Sequence, residues 1–347
     1  MIAKNHPAVI FDLEDPVDYQ QLSSAPMVTL QLLKDLVIID EVQRIPEMFK
    51  VLRVLADRQD HQARYLILGS ASPFLVKNAS ESLAGRIAFV DMSGFDLDEA
   101  GAVNLKKLWL RGGFPRSFLS RDDQSSYRWR QNFIRSFLER DIPQLGITIP
   151  SQSLRRFWTM LAHYHGQVWN GSAFARSLGV TEPTAKRYLD ILTAAYVVNQ
   201  LQPWYENLLK RQVKSPKVYI KDTGLLHALL SLEGNTIMQH PKLGFSWEGF
   251  IIEQLMALIQ HPCYVWATHA GAELDLLTFK DGKRIGFEIK YTDAPEISKS
   301  MRIAIDDLSL AKLIVVYPGE KNYFLSENIQ VVSAYDLTQH LLSLYEK

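Results

Sequence analysis

The 347-residue sequence has one cysteine, Cys263. A lone thiol excludes an internal disulfide and any cysteine-based zinc site, and it fits a reducing compartment. Neither sign of charge is in excess: Lys+Arg and Asp+Glu number 38 each. No global field therefore marks the chain as a nucleic-acid binder, and only local patches can do so. No apolar run approaches the length of a bilayer crossing. The opening residues, MIAKNHPAVIFDLEDP, lack the apolar core of a secretion signal. The expectation is a cytoplasmic protein with no membrane partner. Fixed-period repeats and low-complexity tracts are absent as well. What remains is an ordinary globular composition, 47% hydrophobic and 22% charged. The chain is too long for one core, so two or three domains are expected.

The stretch LVIIDEVQ, Leu36 to Gln43, organises the first of them. Four aliphatic residues without polar alternation suit a strand buried on both faces of a parallel sheet. Asp40 and Glu41 then stand at its carboxyl end, where open α/β sheets bind ligands. This is the pattern of a Walker B strand. Asp40 would hold Mg²⁺, and Glu41 would orient or deprotonate an attacking water. A buried strand ending in a solvated, acid-rich loop would carry the same letters.

AVIFDLEDP reads as a strand leaving into a polar turn, with Asp15-Pro16 starting a helix. Met48, Val51, Leu52 and Leu55 fall on one face of a further helix, and RYLILGSAS reads as the next buried strand. Strand, helix, strand with short links implies a parallel βαβ arrangement. Ser70 would lie beside Asp40 and sense phosphate, unless Gly69-Ser70 only makes a turn. Arg86 precedes another apolar strand and would reach phosphate in cis or from a neighbouring subunit, or else form a surface salt bridge. No G-x-x-x-x-G-K-[ST] occurs anywhere in the chain. That loop cradles the β- and γ-phosphates. A strand, phosphate loop and helix need about 30 residues, and eight precede Val9. The expectation is a core that is truncated at its start or degenerate.

The ordered blocks FDLEDP, IIDEVQRIPEMF, LGSAS, SLAGRI, GGFP, RDIP, KVYIKDTGLLHALL, WEGFIIEQL, ELDLL and GFEIKYT resemble a family of prokaryotic AAA-type P-loop ATPases. In that family the carboxyl-terminal half is a widespread domain of unknown function. The resemblance implies ATP and Mg²⁺ as cofactors. It also places the missing phosphate loop directly before FDLEDP.

The middle of the chain reads as helical. Tyr127, Trp129, Phe133 and Phe137 stand at helical spacing in a long helix expected to stop at Pro143, and they are read as core. LRRFWTMLAHYHG is another helix, closed by Gly166. Its His163 and His165 face different ways and do not make a metal pair. A short helix with Phe174 and Leu178 inward ends at Gly179. Thr181 caps a second helix with Ala185, Tyr188, Leu189 and Leu192 inward, and VVNQL follows as a strand. This is the layout of a helix-turn-helix with a β-wing. A DNA reader would offer Thr184, Lys186 and Arg187, although Glu182 and Asp190 dilute that face. Lys210, Arg211, Lys214 and Lys217 form the best basic patch, either a solvated hairpin tip or a DNA contact.

In the last third, Ser246 is expected to cap a helix, and Asp281-Gly282 to turn a hairpin between ELDLLTF and RIGFEIKY. Helix, three-stranded meander, helix, strand is the core order of the PD-(D/E)XK nuclease fold. Asp275 and Glu288 would hold Mg²⁺ with Glu248 as an accessory acid, and Lys290 would position the attacking water. Glu288 and Lys290 share one strand face because side chains alternate. A buried salt-bridge network would use the same residues.

The expectation is an α/β multidomain chain. Residues 1–105 are a truncated parallel-sheet P-loop ATPase core, 106–235 a helical, winged-helix-like region, and 236–347 an α/β PD-(D/E)XK-like domain. Three functions stay open: an AAA-type ATPase, truncated or degenerate; a Mg²⁺-dependent DNA nuclease; and a non-catalytic adaptor for DNA or protein. A homo-oligomer or a protein partner fits the first and the last.

Overall fold

The computed structural model describes residues 7–69, 79, 81–205, 212–259 and 261–345, and the chain divides into two compact units, residues 1–91 and 92–347. In the first unit the apolar runs become neighbours. Strands β1 (Ala8–Asp12), β2 (Leu36–Asp40) and β3 (Arg64–Ile67) pair in the order β1-β2-β3, all parallel. The continuous aliphatic strand β2 is central, with Val37, Ile38 and Ile39 buried, whereas edge strand β1 exposes Val9 and Ile10. Between β1 and β2 run helices α1 (Pro16–Ser24) and α2 (Pro26–Gln31). The Asp15 side chain accepts from the Val17 amide at 2.7 Å and so caps α1, with Pro16 in the first turn. Helix α3 (Met48–Ala56) buries Met48, Phe49, Leu52 and Leu55 in a core shared with Phe11, Val37 and Ile39.

The apolar stretch after Arg86 does not form the expected strand. Phe89 and Val90 are exposed, and no strand among the described residues pairs with them. Without a neighbour, the backbone N–H and C=O groups of a strand have no partners.

The second unit begins with α4 (Leu97–Ala100), α5 (Leu105–Arg111) and α6 (Pro115–Phe118). Next come α7 (Asp123–Ser136) and α8 (Ser151–His163). The helical run stops at Gln144, one residue past Pro143. After α7 the backbone widens into a π turn over Phe137–Asp141 and resumes as Ile142–Gln144. Pro143 sits in the first turn of that last segment, where its missing N–H costs little. Phe133 lies 5.8 Å from Phe137 and Phe137 5.4 Å from Trp158, centroid to centroid, in the helical core.

Beyond α8 lie β4 (Gln167–Val168), α9 (Gly171–Leu178), α10 (Glu182–Ala194), β5 (Val198–Leu201) and β6 (Lys217–Ile220). Gly179 closes α9 at φ +69°, the left-handed region that glycine tolerates. The three strands form an antiparallel sheet in the order β4-β6-β5.

Helix α11 (Thr223–Leu229) follows, and it explains two of the sequence blocks at once. Its capping residue, Asp222, accepts from the Leu225 amide at 2.8 Å and from the Gly113 amide at 2.7 Å. A Cβ on Gly224 would stand 2.2 Å from the Arg111 carbonyl oxygen. GGFP and KDTG are therefore two halves of one close contact. Buried Arg130 fastens it by donating to the Gly224 carbonyl at 2.8 Å.

The chain finishes with α12 (Leu243–Ile259), β7 (Tyr264–Ala267), β8 (Glu273–Lys280), β9 (Lys283–Ile289), α13 (Lys299–Leu308), β10 (Lys312–Tyr317), β11 (Tyr323–Ser326), β12 (Ile329–Ser333) and α14 (Leu337–Tyr345). The six strands form one sheet in the order β11-β12-β10-β9-β8-β7. Strands β7, β8 and β9 are an antiparallel meander, and β10 runs parallel to β9. Asp281 (φ +49°) and Gly282 (φ +74°) make the tight turn between β8 and β9.

Ser246 is not a cap. Helix α12 starts at Leu243, and the Ser246 hydroxyl accepts from Trp109 Nε1 at 3.0 Å and bonds His227 Nε2 at 2.8 Å. One core joins Trp109 and Phe118 to Trp247 and Phe250 of α12 and to Leu276 and Phe287 of the sheet. Among the described residues no helix is long and apolar enough to cross a membrane.

Candidate functional site

Strand β2 delivers Asp40 and Glu41 to the carboxyl edge of the parallel sheet. Asp40 Oδ1 accepts from the Glu41 amide at 2.9 Å. Glu41 itself is left-handed, at φ 56° and ψ 40°. A non-glycine residue there costs on the order of 1 kcal/mol or more, and such strain gathers at functional sites. The conformation swings the Glu41 side chain out of line with the strand, and Gln43 Nε2 donates to its Oε2. Asp12 stands opposite Asp40 in the β1–β2 register. Mg²⁺ asks for one or two protein carboxylates and keeps its other positions for water and phosphate. A single half-buried Asp40 at this edge satisfies that demand.

Of the other residues expected here, Ser70 lies outside the described residues. Arg86 is held by Asp57 through a two-pronged ion pair, its Nη2 donating to Oδ2 at 3.1 Å. That guanidinium is spent on a surface carboxylate.

The second cluster lies where β6 meets α12 and β8. Lys217 and Tyr219 sit two apart on β6 and so share a face. Lys217 Nζ stands 3.1 Å from Glu248, 3.6 Å from Asp275 and 3.7 Å from Glu273. The Tyr219 hydroxyl donates to Glu248 Oε1 at 2.7 Å. Lys217 is 4% exposed at its side chain and Asp275 6%, so that pair is shielded from solvent screening, whereas Glu273 is half exposed. On the sheet, Asp275 Oδ2 accepts from the Ile289 amide at 2.8 Å, and Lys290 Nζ lies 2.7 Å from Glu288 Oε1. Glu288 Oε2 is buried and, among the described residues, has no hydrogen-bond partner.

Burial, helped by Asp275, pushes the Glu288 carboxyl up to about 8 against the pull of Lys290. Burial and Asp275 likewise raise Glu248 to about 7. Burial opposes the charge on Lys217, yet Glu248, Asp275 and Glu273 outweigh it and hold the ammonium above the ordinary lysine range.

Lys217 is the residue that sequence reasoning misplaced. The basic run suggests a solvated hairpin tip or a DNA contact, but Lys217 is buried, because it opens a strand whose four residues are all buried. A lysine directly preceding the apolar run VYI was the available signal. Among the described residues no group of three or more His, Cys, Asp or Glu side chains is arranged to hold a metal ion, and an ammonium already stands between Glu248 and Asp275.

Helix α12 comes this close because of Gly249. A Cβ there would fall 2.1 Å from His165 Nε2 and 3.2 Å from the Tyr219 ring. Gly249→Ala is expected to lower stability by about 3 kcal/mol, read by urea unfolding. An unchanged midpoint would show that α12 can back away freely.

On α10, the Thr181 hydroxyl accepts from the Thr184 amide at 3.4 Å and shares a 2.8 Å bond with the Thr184 hydroxyl. Lys186 Nζ is engaged by Asp190 at 2.5 Å and Gln200 at 3.1 Å. Arg187 and Lys214 are exposed, and the Lys214 ammonium lies 5.8 Å from the Tyr205 ring centroid. Lys210 and Arg211 lie outside the described residues.

The family model described as AAA domain matches residues 1–101. Two described as domains of unknown function follow, DUF8612 over 103–236 and DUF4143 over 243–337. Uncharacterized protein Rv2008c of Mycobacterium tuberculosis and uncharacterized protein Mb2031c of Mycobacterium bovis are each 53% identical over 336 residues, 96% of this chain and 76% of theirs. The crystal structure of protein VC1899 from Vibrio cholerae aligns over 98% of both chains, but at 12% identity and a TM-score of 0.23. That likeness is too weak to bear on the fold. With its AAA domain at one end and DUF4143 at the other, the chain belongs with these mycobacterial proteins to an AAA-like ATPase family.

Proposed function

We propose that residues 1–105 are the Mg²⁺-and-water side of an AAA-type ATP site and that the remaining residues are the effector it serves. The observation that carries this reading is the Asp40–Glu41 pair at the carboxyl end of the central parallel strand, with Glu41 in a strained left-handed turn. Asp40 would meet the hydrated metal of Mg·ATP, which neutralises phosphate charge when bound. Glu41 would take or orient the proton of an attacking water. The 347 residues contain no phosphate loop, so the β- and γ-phosphates must be cradled from elsewhere.

Two finer structural readings accompany this. The order helix, strand, helix, helix and two strands over 151–220, with sheet order β4-β6-β5, supports a winged helix used for packing and docking. The α12–meander–α13–β10 order supports a PD-(D/E)XK-like fold. The nuclease chemistry of that fold is not proposed here, because Lys217 stands among the acids. DNA reading by α10 is not favoured either, because Lys186 is already paired.

The test is Mg²⁺-dependent binding and turnover of ATP by the full gene product, including any in-frame sequence before Met1. Asp40→Ala is expected to weaken Mg·ATP binding by about tenfold or more. Glu41→Gln is expected to keep binding and slow hydrolysis by about 100-fold. Wild-type ATP binding in Asp40→Ala, or wild-type turnover in Glu41→Gln, overturns the reading. So does a full gene product with no G-x-x-x-x-G-K-[ST] and no turnover.

A further inference from the structure

We infer that Lys217 is the resident cation of the carboxyl-terminal acid cluster, closing it to divalent metal and fastening β6 to α12 and the six-stranded sheet. Three facts converge on this. The ammonium lies within 3.7 Å of three carboxylates from two separate elements, Glu248 on α12 and Glu273 and Asp275 on β8. Its strand is the central one of the β4-β6-β5 sheet and is buried throughout. It therefore cannot swing aside as a surface lysine would. Tyr219, two residues along, donates to the same Glu248 oxygen that faces Lys217. The acid is thus gripped twice from one strand.

A divalent ion at Glu248 and Asp275 would have to share a few ångströms with a fixed positive charge. Like charges that close repel strongly in a shielded site. The acid–lysine arrangement of β8 and β9 then serves as an electrostatic fastening that needs no metal. Without Lys217, Glu248 and Asp275 would lose the ammonium that stands 3.1 and 3.6 Å from them, and that loss is what would draw a cation in. In the cluster, a side chain of the same chain stands where a divalent ion would have to sit. This inference is independent of the ATP reading, which concerns Asp40.

Mn²⁺ is the probe, titrated into the full chain and followed by electron paramagnetic resonance. Wild type and Asp275→Asn are expected to take up the same amount, because the cluster holds none in either. Lys217→Ala is expected to take up about one further equivalent, and its melting temperature should climb with Mn²⁺. That extra equivalent should vanish in Lys217→Ala/Asp275→Asn. Lys217→Arg, which keeps the charge, should stay at the wild-type uptake. A wild-type equivalent that Asp275→Asn abolishes overturns the inference, as does a folded Lys217→Ala that binds no more than wild type. Should Lys217→Ala fail to fold, the comparison of wild type with Asp275→Asn decides. Mn²⁺ lost only on Asp40→Ala belongs to the nucleotide edge; with wild type and Asp275→Asn still equal, it leaves the cluster metal-free as inferred.

Discussion

Lys217→Met is expected to lower the unfolding free energy of residues 92–347 by about 3–5 kcal/mol near pH 8, the range for breaking a buried ion pair from one side. The side chain is nearly isosteric, so little packing is lost. What is lost is the ammonium that stands 3.1 Å from Glu248 and 3.6 Å from Asp275. Glu248 can retreat by taking a proton, because burial already lifts it to about 7. The penalty should therefore shrink as pH falls to about 5.5. Adding Glu248→Gln removes one of the stranded charges and should return a large part of the loss, as a coupled pair does in a double-mutant cycle. Urea unfolding followed by tryptophan fluorescence measures all four proteins. A loss below about 1 kcal/mol at pH 8 is what a solvated surface pair would give, and it would move Lys217 back to the surface.

The stability of the same unit is expected to peak on the acid side of neutrality and to fall on both flanks. His165 and His227 are buried, and burial lowers both to about 3 from an ordinary 6.5. His165 Nδ1 accepts from the Ile220 amide at 2.9 Å, and His227 sits between the Leu110 carbonyl and Ser246. A depressed folded value means that the unfolded chain takes up protons first. Stability is then lost as pH falls from about 6.5 toward about 3, by roughly 3–5 kcal/mol for each ring. The carboxyls of Glu248 and Glu288 run the other way. Burial raises them to about 7 and about 8 from 4.5. Their contribution is complete below about 4.5 and is lost as pH climbs to 7 and 8. Between 4.5 and 6.5 the two effects oppose each other, which gives a broad maximum centred near pH 5.5. Melting temperatures across pH 4–9 test this. His227→Gln should flatten the acid flank, and Glu288→Gln the alkaline one. A maximum at pH 8 or above would contradict the burial of these groups.

Much of this was legible before any coordinates. The run LVII could only satisfy itself between two other strands, and it is the central one. Thr181 before Glu182-Pro183 announced a capped helix, and Asp281-Gly282 announced the hairpin turn. Local chemistry sufficed because each signal lies within a few residues of the feature it specifies. The misreadings have the opposite character. Lys217 finds Glu248 31 positions later, and the eight-residue window KRQVKSPK shows four cations and no acid. Ser246 resembles a cap until Trp109, 137 positions earlier, claims its hydroxyl. The strand expected after Arg86 was locally plausible, but a strand is a property of pairs.

The packing of Trp109 against Trp247, with ring centroids 5.1 Å apart, has a bearing on how the chain is subdivided. The recurrent segments 103–236 and 243–337 meet at that contact and share a core. What evolution copies as two modules is, in physical terms, one cooperative body whose seam is apolar. A fragment cut in the gap between them would carry half of a tryptophan pair into water.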